Sequence, residues 1–302
     1  MIVFNGVSKI FKSDLLSQPF VALDNVSFEI PRGSMVGFLG ANGAGKTTSL
    51  KIIMDFIRPT SGQVDFTNLG SDRSGIFKKI GFLPERPYFY QNLTGHEFLS
   101  FMGSLSEVPS MQLKKEIQKW APRFKIDHAL NRQLKTYSKG MLQRVGFLAT
   151  ILHNPELIIL DEPLSGLDPI GRKELKDVIV EVHREGKTVF FSSHIVPDIE
   201  EICDRVIFLK EGKLVYDGTV DKLLQSEGQT EYIVKYRAPS EYTPQTDVKE
   251  RQIFPGNLHS STVSETSKNE LLKELVDRNL DVIGIEHIKP SLEEIFYHIK
   301  SN

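Results

Sequence analysis

The run MVGFLGANGAGKT, residues Met35 to Thr47, passes from an apolar stretch through a cluster of glycines to Lys46 and Thr47. MVGFLG is apolar almost throughout, the pattern of a strand buried on both faces of a parallel sheet. Gly40 to Thr47 fits G-x-x-x-x-G-K-[ST] in full. Glycines in such a loop let backbone N–H groups turn inward around phosphate oxygens, and the dipole of the helix that follows favours the negative charge. Gly40, Ala41, Asn42, Gly43, Ala44, Gly45, Lys46, Thr47 and Thr48 are therefore candidate phosphate contacts. Within them Lys46 suits the β- and γ-phosphates, and the Thr47 hydroxyl suits Mg2+.

Working outward, a second apolar run, LIILDE at Leu157 to Glu162, ends on adjacent carboxylates. A buried strand here would deliver Asp161 to the Mg2+ coordination sphere, directly or through water. Glu162 then stands where it could polarise an attacking water. Between the two runs, about residues 85–155, the texture is helical. Thr94 and Glu97 read as a capping box, and Leu113, Ile117, Trp120 and Phe124 share one helical face, which makes Trp120 a core residue. TYSKGMLQR, Thr136 to Arg144, starts another helix, with Ser138 as its cap and Leu142, Val145, Ala149 and Leu152 as its apolar stripe. A capped helix start is the plain account; on the sharper one the Ser138 hydroxyl, the exposed N–H groups at Lys139 to Met141 and the helix dipole would together form a second anion site. One nucleotide does not need two such sites in one chain, so the second is expected to serve a partner's nucleotide.

The order of phosphate loop, YSKGM with LQR behind it, LIILDEP and then SGLD resembles the ATP-binding cassette (ABC) ATPases, over about residues 1–222. The resemblance implies an α/β P-loop NTPase core with a helical subdomain at about 85–155, ATP and Mg2+ as ligands, and a dimer that sandwiches two nucleotides. It makes Ser138, Lys139, Gly140 and Met141 the signature, Asp161 the Mg2+ aspartate, Glu162 the catalytic base, and Asp168 of SGLD part of a loop reaching across the dimer. His194 of FFSSH becomes the switch histidine that contacts the γ-phosphate, and Phe11 the aromatic that stacks on adenine, with Phe20 as its rival. Two departures stand out. Glu85 occupies a place the family usually gives to a Gln that contacts Mg2+ and water, and a Glu oxygen can still ligate that ion. Lys139 and Met141 replace the usual Gly and Gln of the signature, while Ser138 and Gly140 are kept.

Beyond about residue 222 the chain becomes more polar and reads as a small α+β appendage, 223–302, of strand, helix, strand and helix. Ser267–Glu270 and Ser291–Glu294 read as capping boxes there. Its ending, IKPSLEEIFYHI, resembles the tails of ATPase subunits of bacterial exporters of the ABC-2 type. The 302 residues carry a formal net charge of −2, which argues against broad binding to nucleic acid. The lone Cys203 fits a reducing compartment and excludes an internal disulfide. No apolar run is long enough to span a bilayer, and the N-terminus has no signal-peptide pattern. The expectation is an ATP-hydrolysing subunit, cytoplasmic and peripheral on the inner face of the cell membrane. It would pair with a second copy or a paralogous ATPase subunit and drive a separate transmembrane permease, with export favoured over import. The alternative is a soluble ABC-type ATPase acting on nucleic acid or the ribosome. A long coiled coil, a second cassette or a zinc-binding cysteine set would mark the known kinds of such proteins, and the sequence carries none of these. A non-catalytic regulator would need a damaged Lys46, Asp161 or Glu162, and all three are intact.

Overall fold

In the structure, a computed structural model, the described residues are 1–12, 19–67, 69–70, 72–227, 231–288, 292–293 and 295–296. They divide into two units, Met1–Val220 and Asp221–Asn302. No helix among them is long and apolar enough to cross a membrane.

The first unit is built around β3 (Met35–Leu39), an interior strand of a six-stranded sheet. Its order is β5 (Ile80–Leu83), β6 (Leu157–Asp161), β7 (Thr188–Ser193), β3, β8 (Arg205–Lys210) and β9 (Lys213–Thr219). The pairs from β5 to β8 are parallel, and only the β8–β9 hairpin is antiparallel. Every residue of β3, β6 and β7 is buried, which explains why their apolar runs do not alternate. Glu211 and Gly212 turn the β8–β9 hairpin with both φ angles positive (50° and 76°), as a tight two-residue hairpin requires. Parallel register places Leu39 beside Ser193, and Asp161 beside Ser192. The carboxyl ends of β3, β6 and β7 therefore lie in one row, the place where open α/β sheets bind ligands.

A three-stranded antiparallel sheet, β2 (Phe20–Ile30), β1 (Ile2–Phe11) and β4 (Ser61–Phe66), shares the core with the first. The two sheets are joined by aromatic rings. Phe4 stacks on Phe28 at 4.6 Å, Phe28 meets Phe38 at 5.6 Å, and Phe38 meets Phe190 at 5.0 Å. Helix α1 (Lys46–Ile53) leaves the phosphate loop and buries Leu50, Ile52 and Ile53 in this core, and α2 (Arg73–Phe77) adds Ile76.

Three α-helices lie in the segment between β5 and β6, α3 (Gly95–Leu105), α4 (Ser110–Trp120) and α5 (Lys139–Ile151), with two single 3-10 turns between α4 and α5. Thr94 and Glu97 make both bonds of the capping box that the sequence shows. Trp120 is buried, T-shaped against Phe124, with Lys119 and Arg123 over its ring. The expected stripe on α5 understates its burial, because Val145 to Leu152 are buried without interruption. Four cations join this segment to α6 (Pro169–Arg184): Lys119 pairs with Glu185, Arg123 with Glu181, and both Lys125 and Arg144 with Glu174. Asp168 caps α6, Pro169 opens it, and Gly186 follows its end with φ +88°. Helix α7 (Val196–Ile202) carries Asp198 and Glu201, which meet Arg172 and Lys176 of α6. Cys203, just past α7, is buried, and its thiol is pushed well above the ordinary range by that burial.

Helix α8 (Val220–Glu227) spans the division between the units. The second unit is a four-stranded antiparallel sheet in the order β11 (Glu250–Phe254), β12 (Leu258–Ser264), β10 (Glu231–Arg237) and β13 (Asp281–Ile288), with α9 (Glu265–Asp277) packed on it. Its core joins Val234, Tyr236 and Val263 to Leu271 and Leu275. Four strands stand here where the sequence suggested two, because β11 (ERQIF) is short and mostly polar and β12 (LHSSTVS) is rich in Ser and Thr. The cap of α9 is Ser264, which accepts from the Ser267 N–H at 3.2 Å. Ser267 lies inside the helix, since β12 runs straight into α9. The Ser291–Glu294 box lies outside the described residues.

Candidate functional site

The turn from β3 into α1 cannot be built without glycine. Gly45 has φ +105°, and a Cβ there would stand 2.7 Å from the Ala22 carbonyl oxygen. Gly43, φ +83°, faces open space. No side chain caps α1, so its first N–H groups remain available to an anion. Lys46 is buried, donates to the Gly40 carbonyl at 2.7 Å, and stands 3.4 Å from Glu162 Oε1. The loop opens on a cavity of about 400 Å³, whose walls include Phe20, Asn42, Lys46, Thr47, Glu85, Glu162 and His194.

Behind that wall β6 ends at Asp161, which is almost fully buried. The Ser192 hydroxyl donates to Asp161 Oδ1 at 2.6 Å, and the Thr47 side chain hydrogen-bonds the same carboxylate. Burial pushes the Asp161 carboxyl above the ordinary aspartate value. The two hydroxyl bonds oppose that shift, and the nearby negative charges of Glu162 and Glu85 add to it. Glu162 follows in the left-handed region, φ +50°. Its carboxylate meets His194 Nδ1 at 2.9 Å on one oxygen and Lys46 on the other. His194 is half-exposed at the mouth of the cavity.

The donors around Asp161 suit a hard cation: a buried carboxylate, the Thr47 hydroxyl, and Glu85 close by. Among the described residues no group of three or more His, Cys, Asp or Glu side chains is arranged to hold a metal alone. Mg2+ fits such a partial set, because it takes one or two carboxylates and completes its shell with phosphate and water.

The remaining candidates lie elsewhere. Ser138 caps α5, accepting from the Met141 N–H at 3.2 Å. Lys139 lies over Gly166, where it fills the space of a Cβ, and Gly140 lies against Leu167. The signature stretch thus packs on the SGLD turn, while Asp168 accepts from the Gly171 N–H at 3.1 Å. Ser138 to Met141 and Asp168 take no part in lining the cavity, and neither does Phe11. Phe11 is the register partner of Phe20 across β1 and β2 and has the Lys9 ammonium over its ring. Phe20 does line the cavity. Sequence reasoning missed Ser192. Its one legible signal is its place two residues before His194 in FFSSH.

Comparison with known proteins matches residues 23–165 to the family described as ABC transporter. Residues 218–299 match the family described as the C-terminal domain of DrrA1-3-like ATP-binding proteins. An uncharacterised ABC transporter ATP-binding protein of Nostoc sp. is 37% identical over 256 residues, covering 81% of this chain and 76% of that protein. The bacitracin transport ATP-binding protein BcrA of Bacillus licheniformis is 32% identical over 287 residues, 91% of each. Among solved structures, the ATP-binding subunit of an ABC transporter aligns with TM-score 0.66 at 27% identity, covering 76% of this chain and 93% of that one. A dimeric bacterial ABC transporter cassette aligns with TM-score 0.66 at 25% identity, covering 73% of this chain and 99% of that one.

Proposed function

Because the chain belongs to the family of ABC transporter ATP-binding proteins, ATPases by class, we propose that it powers an exporter as one half of a nucleotide-sandwich dimer. In this reading the backbone N–H groups of Gly43 to Thr48 and the Lys46 ammonium hold the phosphates. Thr47, Asp161 and Glu85 hold Mg2+, which supplies charge neutralisation at the β- and γ-phosphates. Glu162 orients and deprotonates the attacking water, and His194 holds both the γ-phosphate and Glu162 in place. Phe20, which lines the cavity, takes the adenine in preference to Phe11.

The observation that carries the dimer is the location of the second anion site. Ser138 to Met141 present a capped helix start outside the cavity lined by their own chain's phosphate loop. A second copy, or a paralogous subunit, would bring that start to this chain's ATP, with Asp168 in the loop between the two sites. For the permease, support comes from an exposed aromatic patch beyond Glu85. Tyr88 meets Tyr90 at 5.6 Å, and Tyr90 meets Phe101 at 5.4 Å, with Leu105 also exposed. A patch of this kind marks a protein contact. The transport named for BcrA and the tail's likeness to exporter subunits favour export. The site then works on the cytoplasmic face of the membrane.

The test is a pair of variants. Glu162→Gln should keep ATP binding, cut hydrolysis about a hundredfold or more, and accumulate an ATP-bound dimer on size exclusion. Ser138→Arg should slow hydrolysis comparably while ATP binding by the monomer stays near normal. Hydrolysis at the wild-type rate by Glu162→Gln would remove Glu162 from the base role. Loss of monomer binding by Ser138→Arg would place the signature in its own chain's site.

A further inference from the structure

FFSSH contains two serines that do different work. Ser193 Oγ accepts from the Ile195 N–H at 3.0 Å and shapes the turn that carries His194. Ser192 points the other way, is fully buried, and faces β6 through parallel register with Asp161. Its hydroxyl accepts from the Glu162 N–H at 2.9 Å and donates to Asp161 Oδ1 at 2.6 Å. The direction of the second bond follows because an ionised carboxylate can only accept, so the hydroxyl gives its one proton to Asp161 and takes the Glu162 N–H on a lone pair.

We infer that Ser192 is a positioning residue that sets the directions of both carboxylates at once, an inference that rests on the roles proposed for Asp161 and Glu162. The left-handed conformation of Glu162 is disfavoured for any residue with a Cβ. The bond from its N–H to Ser192 holds it there, and that turn swings its carboxylate toward Lys46 and His194. The same hydroxyl pins Oδ1 of Asp161, leaving the rest of that carboxylate to Thr47 and a cation. Alanine at 192 would leave Asp161 held by Thr47 alone and the Glu162 N–H without its partner. A threonine would restore both bonds, and its branched side chain suits a strand.

The experiment uses the full chain with Ser192→Ala and Ser192→Thr. It measures ATP binding in Mg2+ and in EDTA, the Mg2+ concentration for half-maximal hydrolysis, and kcat and KM. Ser192→Ala should bind ATP in EDTA within about twofold of wild type, need about tenfold more Mg2+, and lose about tenfold to a hundredfold in kcat, the range of one charged hydrogen bond. Ser192→Thr should return both values to within about threefold. Equal loss of binding with and without Mg2+, or no loss of kcat, would overturn the inference, since burial alone would then account for Ser192. If Ser192→Thr does not fold, the double variant decides. On an Asp161→Asn background Ser192→Ala should add nothing to the Mg2+ effect, and full additivity would overturn the inference. An Asp161→Asn protein with unchanged Mg2+ dependence would instead overturn the site reading beneath it.

Discussion

At the scale of single residues, the chemistry of a phosphate loop compresses into a string, and that is why Gly40 to Thr47 could be read directly. Asp161 and Glu162 were readable for the same reason, as acids at the end of an apolar run. Ser192 was not. A buried serine in a strand carries no pattern of its own, and its meaning depends on which residue of β6 the register sets opposite it, 31 positions away. The choice between Phe11 and Phe20 was equally hidden, since the two are register partners at the mouth of one hairpin. Their positions separate them. Phe20→Ala should raise KM for ATP about tenfold, the scale of one lost base-stacking contact, and Phe11→Ala should change it less than twofold. Steady-state kinetics on the two variants checks this, and the reverse order would reassign the stacking ring.

At the scale of elements, strands buried on both faces and helices with clear caps were legible because burial and capping leave periodic marks. What failed had no such mark. Helix α5 is enclosed all round beyond Arg144, so a one-sided stripe described it poorly. The start of α9 was shifted by one turn, because three Ser and Thr residues compete as caps between Ser264 and Ser267. The ionic seam between the helical segment and α6 is also invisible in sequence, as its partners come from α4, the turn after it, α5 and α6. Glu174 is its centre, bonded by Lys125 and Arg144 at 2.6 Å each. Those two bonds hold its carboxyl below the ordinary value of 4.5, while partial burial opposes them. A depressed folded pKa means that this stabilisation is fully present above about pH 4.5 and fades as pH falls through the lower folded value. Glu174→Gln should therefore lower the melting temperature at pH 7 by a few degrees and narrow the gap to wild type below pH 4.5. Thermal melts across that range test both parts, and an unchanged gap at low pH would deny the seam its ionic origin.

At the scale of the whole molecule, residues 1–220 hold the phosphate loop, both acids and the signature, while 221–302 contribute none of the proposed site. The second unit has its own sheet, its own helix and an apolar core centred on Tyr236, Val263 and Leu271. It also ties its own loop down: Glu274 accepts from the Tyr242 hydroxyl and from the N–H groups of Gln245 and Thr246. Expressed alone, this unit should melt in a single cooperative transition, and a broad or absent transition by circular dichroism would refute its independence. The first unit contains one further consequence. Trp120 is the chain's single tryptophan, and it sits buried in the helical segment between cationic side chains and Phe124, away from the walls of the nucleotide cavity. Excited selectively over the eight tyrosines, tryptophan emission therefore speaks for that segment alone. Any change in its emission when ATP is added reports how far the helices respond to the phosphate loop, with no label attached.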